Sequence, residues 1–365
     1  MIQRFYALAA TTFVETIRQP IYGVILLTTA GLLILNVSLA GFTLEDDDKL
    51  LLDLGLSTLL LSGLFLSAFS AAGVLSREIE NKTVLTVISK PIGRPLFILG
   101  KFAGLVSALV VAYYLSFLVF VLAERHGVLQ TSTQPWDAPV LAFGFGSLLL
   151  AFVAAGFCNY FYGTDFPTSA IAFIAALLTV SVLLVAKLDK HWAVIPFGSK
   201  FVGGQIVFAA YLVFLVILVT SAVAVAASTR FGQLMTLVIC TGVLGLGIIS
   251  DYAFGQYEQG SALAAVAYRA VPNVGPFWII DGLTSGSEKT AVTWTYVVYT
   301  TGYALLLTTG ILGIAVAAFQ KREVGSRSPS PSQGEGWGEG KVADITPHPA
   351  SLLKGRGVSQ ESLRC

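Results

Sequence analysis

"QIVFAAYLVFLVILVTSAVAVAAS", residues 205–228, decides the fold of this chain. The segment runs for 24 residues without an Asp, Glu, Lys, Arg or His. The hydrocarbon core of a bilayer is about 30 Å thick, and about 20 consecutive apolar residues in a helix cross it. The sequence therefore predicts that residues 205–228 span a membrane as a helix.

Similar runs recur along the whole chain. Its 365 residues are 55% hydrophobic and 12% charged, whereas soluble domains are about 25% charged. A lipid-exposed backbone must satisfy its own hydrogen bonds, and the chain lacks the alternation of a closed barrel, so each span should be a helix. We predict an all-α polytopic membrane protein with about eight uncharged transmembrane helices: 22–43, 54–75, 102–123, 138–159, 168–186, 205–228, 233–250 and 293–319.

The distribution of Lys and Arg between the loops favours a cytoplasmic N-terminus. The inner segments would then hold more basic residues, even before the C-terminal tail is counted, than the outer ones. The basic segment "KLDKHWAVIPFGSK", 187–200, falls outside in this topology. Six or seven spans, with a neighbouring hairpin miscounted, are therefore the alternative. We expect a multi-pass protein of the plasma (inner) membrane with both termini in the cytoplasm.

Three segments outside the spans differ from the spans in composition and residue pattern. In residues 1–20, Phe5, Leu8, Phe13 and Ile17 stand among polar neighbours, which predicts an amphipathic helix on the inner leaflet. The transmembrane domain would cover residues 21–320. Its outer loop, 251–292, is apolar but interrupted by Pro and Gly, so we expect short helices at the outer interface. The tail, 321–365, is rich in Ser, Pro and Gly and is expected to be disordered.

Familiar catalytic and metal-binding motifs are missing from the sequence. It contains no GxxxxGK[ST], HExxH, GxSxG or CxxC. We therefore expect no enzymatic activity, bound cofactor or metal in this chain. Coupled carriers usually place ionisable residues inside the bilayer, so the uncharged spans argue against a proton-coupled carrier. The histidines are predicted to lie in loops or the tail: His126, His191 and His348.

Charge is concentrated instead in "SREIENKTVLTVISKPIGRPLFILGK", residues 76–101, between two uncharged spans. Val84, Leu85 and Ile88 are spaced to form one apolar stripe on a short helix. Pro91 should end this helix, and Pro95 should begin the helix that enters the third span. A solvated loop is the simpler interpretation. However, the segment is longer than a connection requires, and its apolar stripe suits a docking helix.

The order of residues in this segment resembles the loop between the second and third spans of type-2 ABC exporter permeases. That loop has an acidic pair, a Thr step, an apolar run, Ser-Lys/Arg-Pro, a further Arg and Gly-Lys. The family's usual Gly before Thr is Lys82 here. "TTFVETIRQPIY", 11–22, resembles the family's elbow helix, and "AVPNVGPFWIIDGL" with "FQKREV", 319–324, resembles its C-terminal end. The resemblance covers residues 1–324 as a pattern.

The resemblance implies that residues 76–101 carry a coupling helix seated in a groove of a separate cytoplasmic ATPase subunit. It also implies a second permease copy, with ATP-Mg held by the ATPase, and no nucleic-acid partner. The alternatives are a secondary carrier or channel, and a non-transporting membrane scaffold or assembly protein. The residues expected to contact the ATPase subunit are Glu78, Glu80, Lys82, Thr83, Val84, Leu85, Ile88, Lys90, Pro91 and Arg94.

Overall fold

A computed structural model describes residues 2–41, 47–76, 93–128, 136–199, 205–257, 265, 268, 271–279 and 292–320. Over these ranges the chain is helical, with one isolated bridge between Leu188 and Val194. A π-helical turn, Ala72–Ser76, continues α3. The long helices are α1 Ile2–Ile17, α2 Pro20–Ala40, α3 Asp47–Ala71, α4 Arg94–His126, α5 Ala138–Tyr162, α6 Phe166–Val185, α7 Gln205–Ser228, α8 Gln233–Ala253 and α9 Trp294–Gln320.

Eight of these helices, α2 to α9, are long and apolar enough to cross a membrane. The chain is therefore an all-α, multi-pass membrane protein, and the eight-span prediction is confirmed. Helix α7 has the predicted bounds. The largest difference is α4, which begins eight residues before the predicted span and contains 33 residues. At a rise of ~1.5 Å per residue it is about 50 Å long, so it extends beyond a hydrocarbon core of about 30 Å.

Prolines mark the beginnings of four membrane helices. Pro20, Pro95, Pro139 and Pro167 lie in the first turns of α2, α4, α5 and α6. The first N–H groups of a helix have no intrahelical partner, so a residue without an N–H costs nothing there. Gly93 is the N-cap of α4. Pro95 is therefore the second residue of this helix and not the first, one position from the prediction.

Helices α3 and α7 form the centre of the bundle. In their most apolar windows 67% of positions are buried, against 22% in α2, α5 and α6. Glycines let the central helices approach their neighbours: a Cβ atom on Gly55 would overlap the ring of Phe120, and one on Gly63 would overlap Ile217. The small residues of 67–72 and 220–228 are almost all buried. Small residues at such positions allow close helix packing.

Helices α5 and α6 form a hairpin at the edge of the bundle, where α4 is the membrane helix they pack against most. This contact has a small apolar cluster of its own, separate from the main core: Leu118, Leu122, Val140, Leu178 and Val185. The hydroxyls of Tyr114 in α4 and Thr179 in α6 lie 2.7 Å apart and support this contact. Within the hairpin, Ser181 Oγ of α6 donates to Phe143 O of α5 at 3.0 Å.

Contacts between helix termini show which termini lie together at each end of the bundle. At the α1 end, Arg18 pairs with Asp165 before α6, and Arg230 after α7 donates to Ala318 O of α9. At the opposite end, Gly41 after α2 lies against Val128 after α4, and Val292 donates to Gln205 Oε1 at the start of α7.

The segment that follows α6 lies at the opposite end. Leu188 O accepts a hydrogen bond from Arg125, whose side chain also pairs with Asp137 at the start of α5. Residues 186–199 are thus at the same end as the C-terminus of α4 and the N-terminus of α5. Eight alternating spans require this arrangement.

Candidate functional site

Nine of the ten predicted ATPase contacts, Glu78 to Pro91, lie outside the described residues. Arg94 is described: it is the first residue of α4 and is half-buried. The described part of the candidate site consists of the two helix ends that flank residues 77–92, namely the π-helical turn at the end of α3 and the first two turns of α4.

The end of α3 is buried and irregular. Val74 and Leu75 of the π-helical turn are 3% and 2% exposed. Single π-helical turns often occur at functional sites. Gly73 leaves room for the side chain of Gln19, because a Cβ atom at Gly73 would lie 2.9 Å from Gln19 Oε1. The corner between α1 and α2, residues 18–19, therefore contacts this end of α3.

The beginning of α4 is covered by α1. Phe97 and Ile98 are 2% and 0% exposed. A Cβ atom on Gly100 would lie 2.7 Å from Leu8 Cδ2, and one on Gly104 would lie 2.6 Å from Thr12 Cβ. Two glycines four residues apart let two helices pack closely. The sequence "GKFAG", 100–104, carries this signal, but the sequence analysis did not use it.

A buried charge links α1 to α4. Lys101 Nζ lies 3.4 Å from Glu15 Oε2, and the Lys101 side chain is 4% exposed. Buried charges are normally paired, because an unpaired one loses its hydration without compensation. Lys101 Nζ also lies 5.9 Å from the ring centre of Phe97, which stacks on Phe319 at 5.7 Å. Helices α1, α4 and α9 thus meet around one lysine that the sequence placed in a cytoplasmic loop.

The α1–α2 region holds both helix ends that flank residues 77–92. Gln19 contacts the end of α3, while Leu8, Thr12 and Glu15 contact the beginning of α4. Tyr22 of α2 adds a buried hydrogen bond, donating to Ala108 O at 2.9 Å. Because packed interiors have low compressibility and transmit strain, a displacement of either helix end would be passed on to the α1–α2 region.

A second charged cluster lies at the opposite end of the bundle. Arg125 Nη1 is 2.6 Å from Asp137 Oδ2, and the two side chains are 3% and 0% exposed. Arg125 Nη2 donates to Leu188 O at 3.0 Å, and Asp137 Oδ1 accepts from Val140 N at the start of α5. His126, predicted to lie in a loop, is the last residue of α4 and is 7% exposed. That prediction was wrong because α4 continues past its apolar run.

The two charged clusters bracket the hydrocarbon core. Lys101 and Arg125 are separated by 24 residues of continuous helix, which is about 36 Å at ~1.5 Å per residue. Residues 102–123 between them carry no charge. Both clusters therefore lie at helix ends, near the two interfaces, and neither occupies the midplane position typical of a proton relay.

The described part of the outer segment packs into the bundle. Val274 and Phe277 are 7% and 2% exposed and belong to the main core. Asn273 Nδ2 donates to Asp251 Oδ1 at 2.6 Å, which ties this segment to the end of α8. The predicted short helices exist as the 3₁₀ turns Gly255–Tyr257 and Gly275–Phe277. The second turn packs against α7 and α8, and its Phe277 stacks on Tyr303 of α9, so it does not rest on the surface.

Neither possible metal ligands nor similar proteins give further information on what the candidate site does. Among the described residues, no three His, Cys, Asp or Glu side chains are grouped to hold a metal ion. No protein-family model matches the chain, and no curated protein is similar to it in sequence.

Proposed function

We propose that this chain is the membrane-spanning permease subunit of an ABC exporter. The observation that carries the proposal is the shared contact of the α1–α2 region with both helix ends flanking residues 77–92. A charged segment mounted in this way is suited to pass the movement of an attached protein to several membrane helices at once.

In the proposed mechanism, ATP-Mg is bound and hydrolysed by a separate cytoplasmic subunit. The apolar stripe of Val84, Leu85 and Ile88 anchors in a groove of that subunit. The charges around the stripe set its register, as rim charges do at other interfaces. When two ATPase subunits close on nucleotide, the docked segments move as rigid bodies. Their motion then reaches α3 and α4, and through Glu15–Lys101 it reaches α1.

The transport path is proposed to run between two copies of this chain. Within one copy the central helices pack closely on their neighbours, because Gly55 leaves room for Phe120 and Gly63 leaves room for Ile217. In α2, α5, α6, α8 and α9, most positions of the apolar window are not buried within one copy. One of these faces would meet the second copy and the others the lipid.

Co-purification with the ATPase subunit tests the proposal. The full chain carrying Glu80→Arg and Leu85→Asp should recover at least about tenfold less ATPase than the wild type, because a charge reversal and a buried carboxylate each cost on the order of 1–3 kcal/mol at an interface. The matched control is Lys190→Glu with Val194→Asp, one charge reversal and one apolar-to-Asp change at the opposite end. Val194 is 81% exposed.

The control variant should retain wild-type recovery of the ATPase subunit. Unchanged recovery with the Glu80→Arg, Leu85→Asp variant would show that residues 77–92 are not the dock. Substrate transport by the chain in liposomes without any ATPase would favour a secondary carrier.

A further inference from the structure

A narrow apolar groove lies between α4, α5 and α6, with Ile34 of α2 at its edge. Its cavity has a volume of about 90 Å³. Leu122, Leu141 and Gly144 form part of the wall. Ile34 and Phe145 are 43% and 54% exposed, so the groove is open to the outside of the bundle.

The groove ends at one polar group. Of its 11 lining residues, only His126 has a polar side chain. His126 is 7% exposed, and its Nδ1 atom is enclosed without a hydrogen-bond partner in the described part of the chain. A buried imidazole nitrogen without a partner is costly, and native proteins rarely leave one in that state without a reason. An enclosed, unpartnered nitrogen beside an apolar groove indicates a ligand with a single polar group.

The charge of Arg125, the residue before His126, is already balanced. Its guanidinium pairs with Asp137 at 2.6 Å and donates to Leu188 O at 3.0 Å. Arg125 is therefore not available to attract an anionic head group. A hydroxyl suits Nδ1 in either imidazole tautomer, because it can both donate and accept a hydrogen bond.

We propose that this groove binds an uncharged, hydroxyl-bearing amphiphile. Its alkyl chain enters past Ile34 and Phe145, and its hydroxyl forms a hydrogen bond with His126 Nδ1. This site is independent of the proposed ATPase coupling, since it lies at the opposite end of the bundle from residues 77–92.

Photolabelling of the full chain in lipid nanodiscs tests the site. The probes are a twelve-carbon alcohol with a diazirine on its chain, and the matching alkane without the hydroxyl. Labelled peptides are mapped by mass spectrometry. The alcohol should label the part of α5 that contains Leu141 and Phe145 more strongly than the alkane does. His126→Leu should lower the alcohol labelling about three- to tenfold, which is the effect expected from the loss of one hydrogen bond. The alkane labelling should be unchanged.

Filling the groove provides a second variant. A Cβ atom on Gly144 would lie 3.6 Å from Leu122 Cδ1, so Gly144→Leu should occupy the groove and abolish labelling of this peptide by both probes. Gly146→Leu is the matched control, because no atom lies within 4 Å of a Cβ there. Alcohol labelling that is the same in the wild type and in His126→Leu would overturn the proposal, even if Gly144→Leu failed to fold. If a photoreactive fatty acid labelled this peptide more strongly than the alcohol, and His126→Leu abolished that labelling, the proposal of an uncharged ligand would be overturned.

Discussion

Arg125 shows how much one buried side chain can hold together. Its guanidinium joins the end of α4 to Asp137 before α5 and to Leu188 after α6. The sequence identifies Arg125 as a basic residue near the end of a span, but the pair could not be predicted. Its partners lie 12 and 63 positions away, and only the packing of the α5–α6 hairpin on α4 brings them together.

Asp137→Asn should destabilise the fold far more than Asp165→Asn. Asparagine can still cap α5, but it leaves a buried guanidinium without a counter-charge, at a cost of about 3–5 kcal/mol in the free energy of unfolding. The Arg18–Asp165 pair is about half exposed, so its loss should cost about 0–1 kcal/mol. Denaturant unfolding in mixed micelles measures both. Equal losses would show that the Arg125–Asp137 pair is not the clamp described here.

At the scale of elements, the contact of α1 with α4 depends on Gly100 and Gly104. Gly104→Val should push α1 away, because the new side chain would overlap Thr12 and Ala9 O. Hydrogen exchange of the α1 amides should then become about tenfold faster or more, as expected of an element that has lost its packing. Gly156→Val in α5 meets no atom within 4 Å and should leave α1 unchanged. Wild-type exchange in Gly104→Val would show that α1 does not depend on this contact.

The presence of each helix could be predicted from the sequence more reliably than the residues at which the helix begins and ends. The bounds of α7 were predicted because its apolar run ends where the helix ends. The beginning of α4 was predicted to within one residue from Pro95, but the predicted membrane span began only at residue 102 because Lys101 interrupts the apolar run. The charge of Lys101 is compensated by Glu15, 86 residues earlier. For the same reason the sequence predicted α1 as an amphipathic helix on the leaflet, but not its close packing on α4 through the glycine pair.

At the scale of the whole molecule, the two ends of the bundle should lie on opposite sides of the membrane. In a chain with its three natural cysteines replaced, Gln3→Cys and Lys190→Cys report on the α1 end and the opposite end. A membrane-impermeant thiol reagent should label Gln3→Cys only from the cytoplasmic side and Lys190→Cys only from the other side. Labelling of both from one side would contradict the eight-span arrangement.

The central claim is that this chain works as the permease half of an ATP-driven exporter, and its assembly tests that claim most directly. Native mass spectrometry of the complex, purified from its own membrane through a tag on this chain, gives the subunit composition. We predict two copies of this chain, or one copy with a related permease, together with two copies of a subunit that binds ATP-Mg. A chain recovered alone, or only with partners that bind no nucleotide, would contradict the claim.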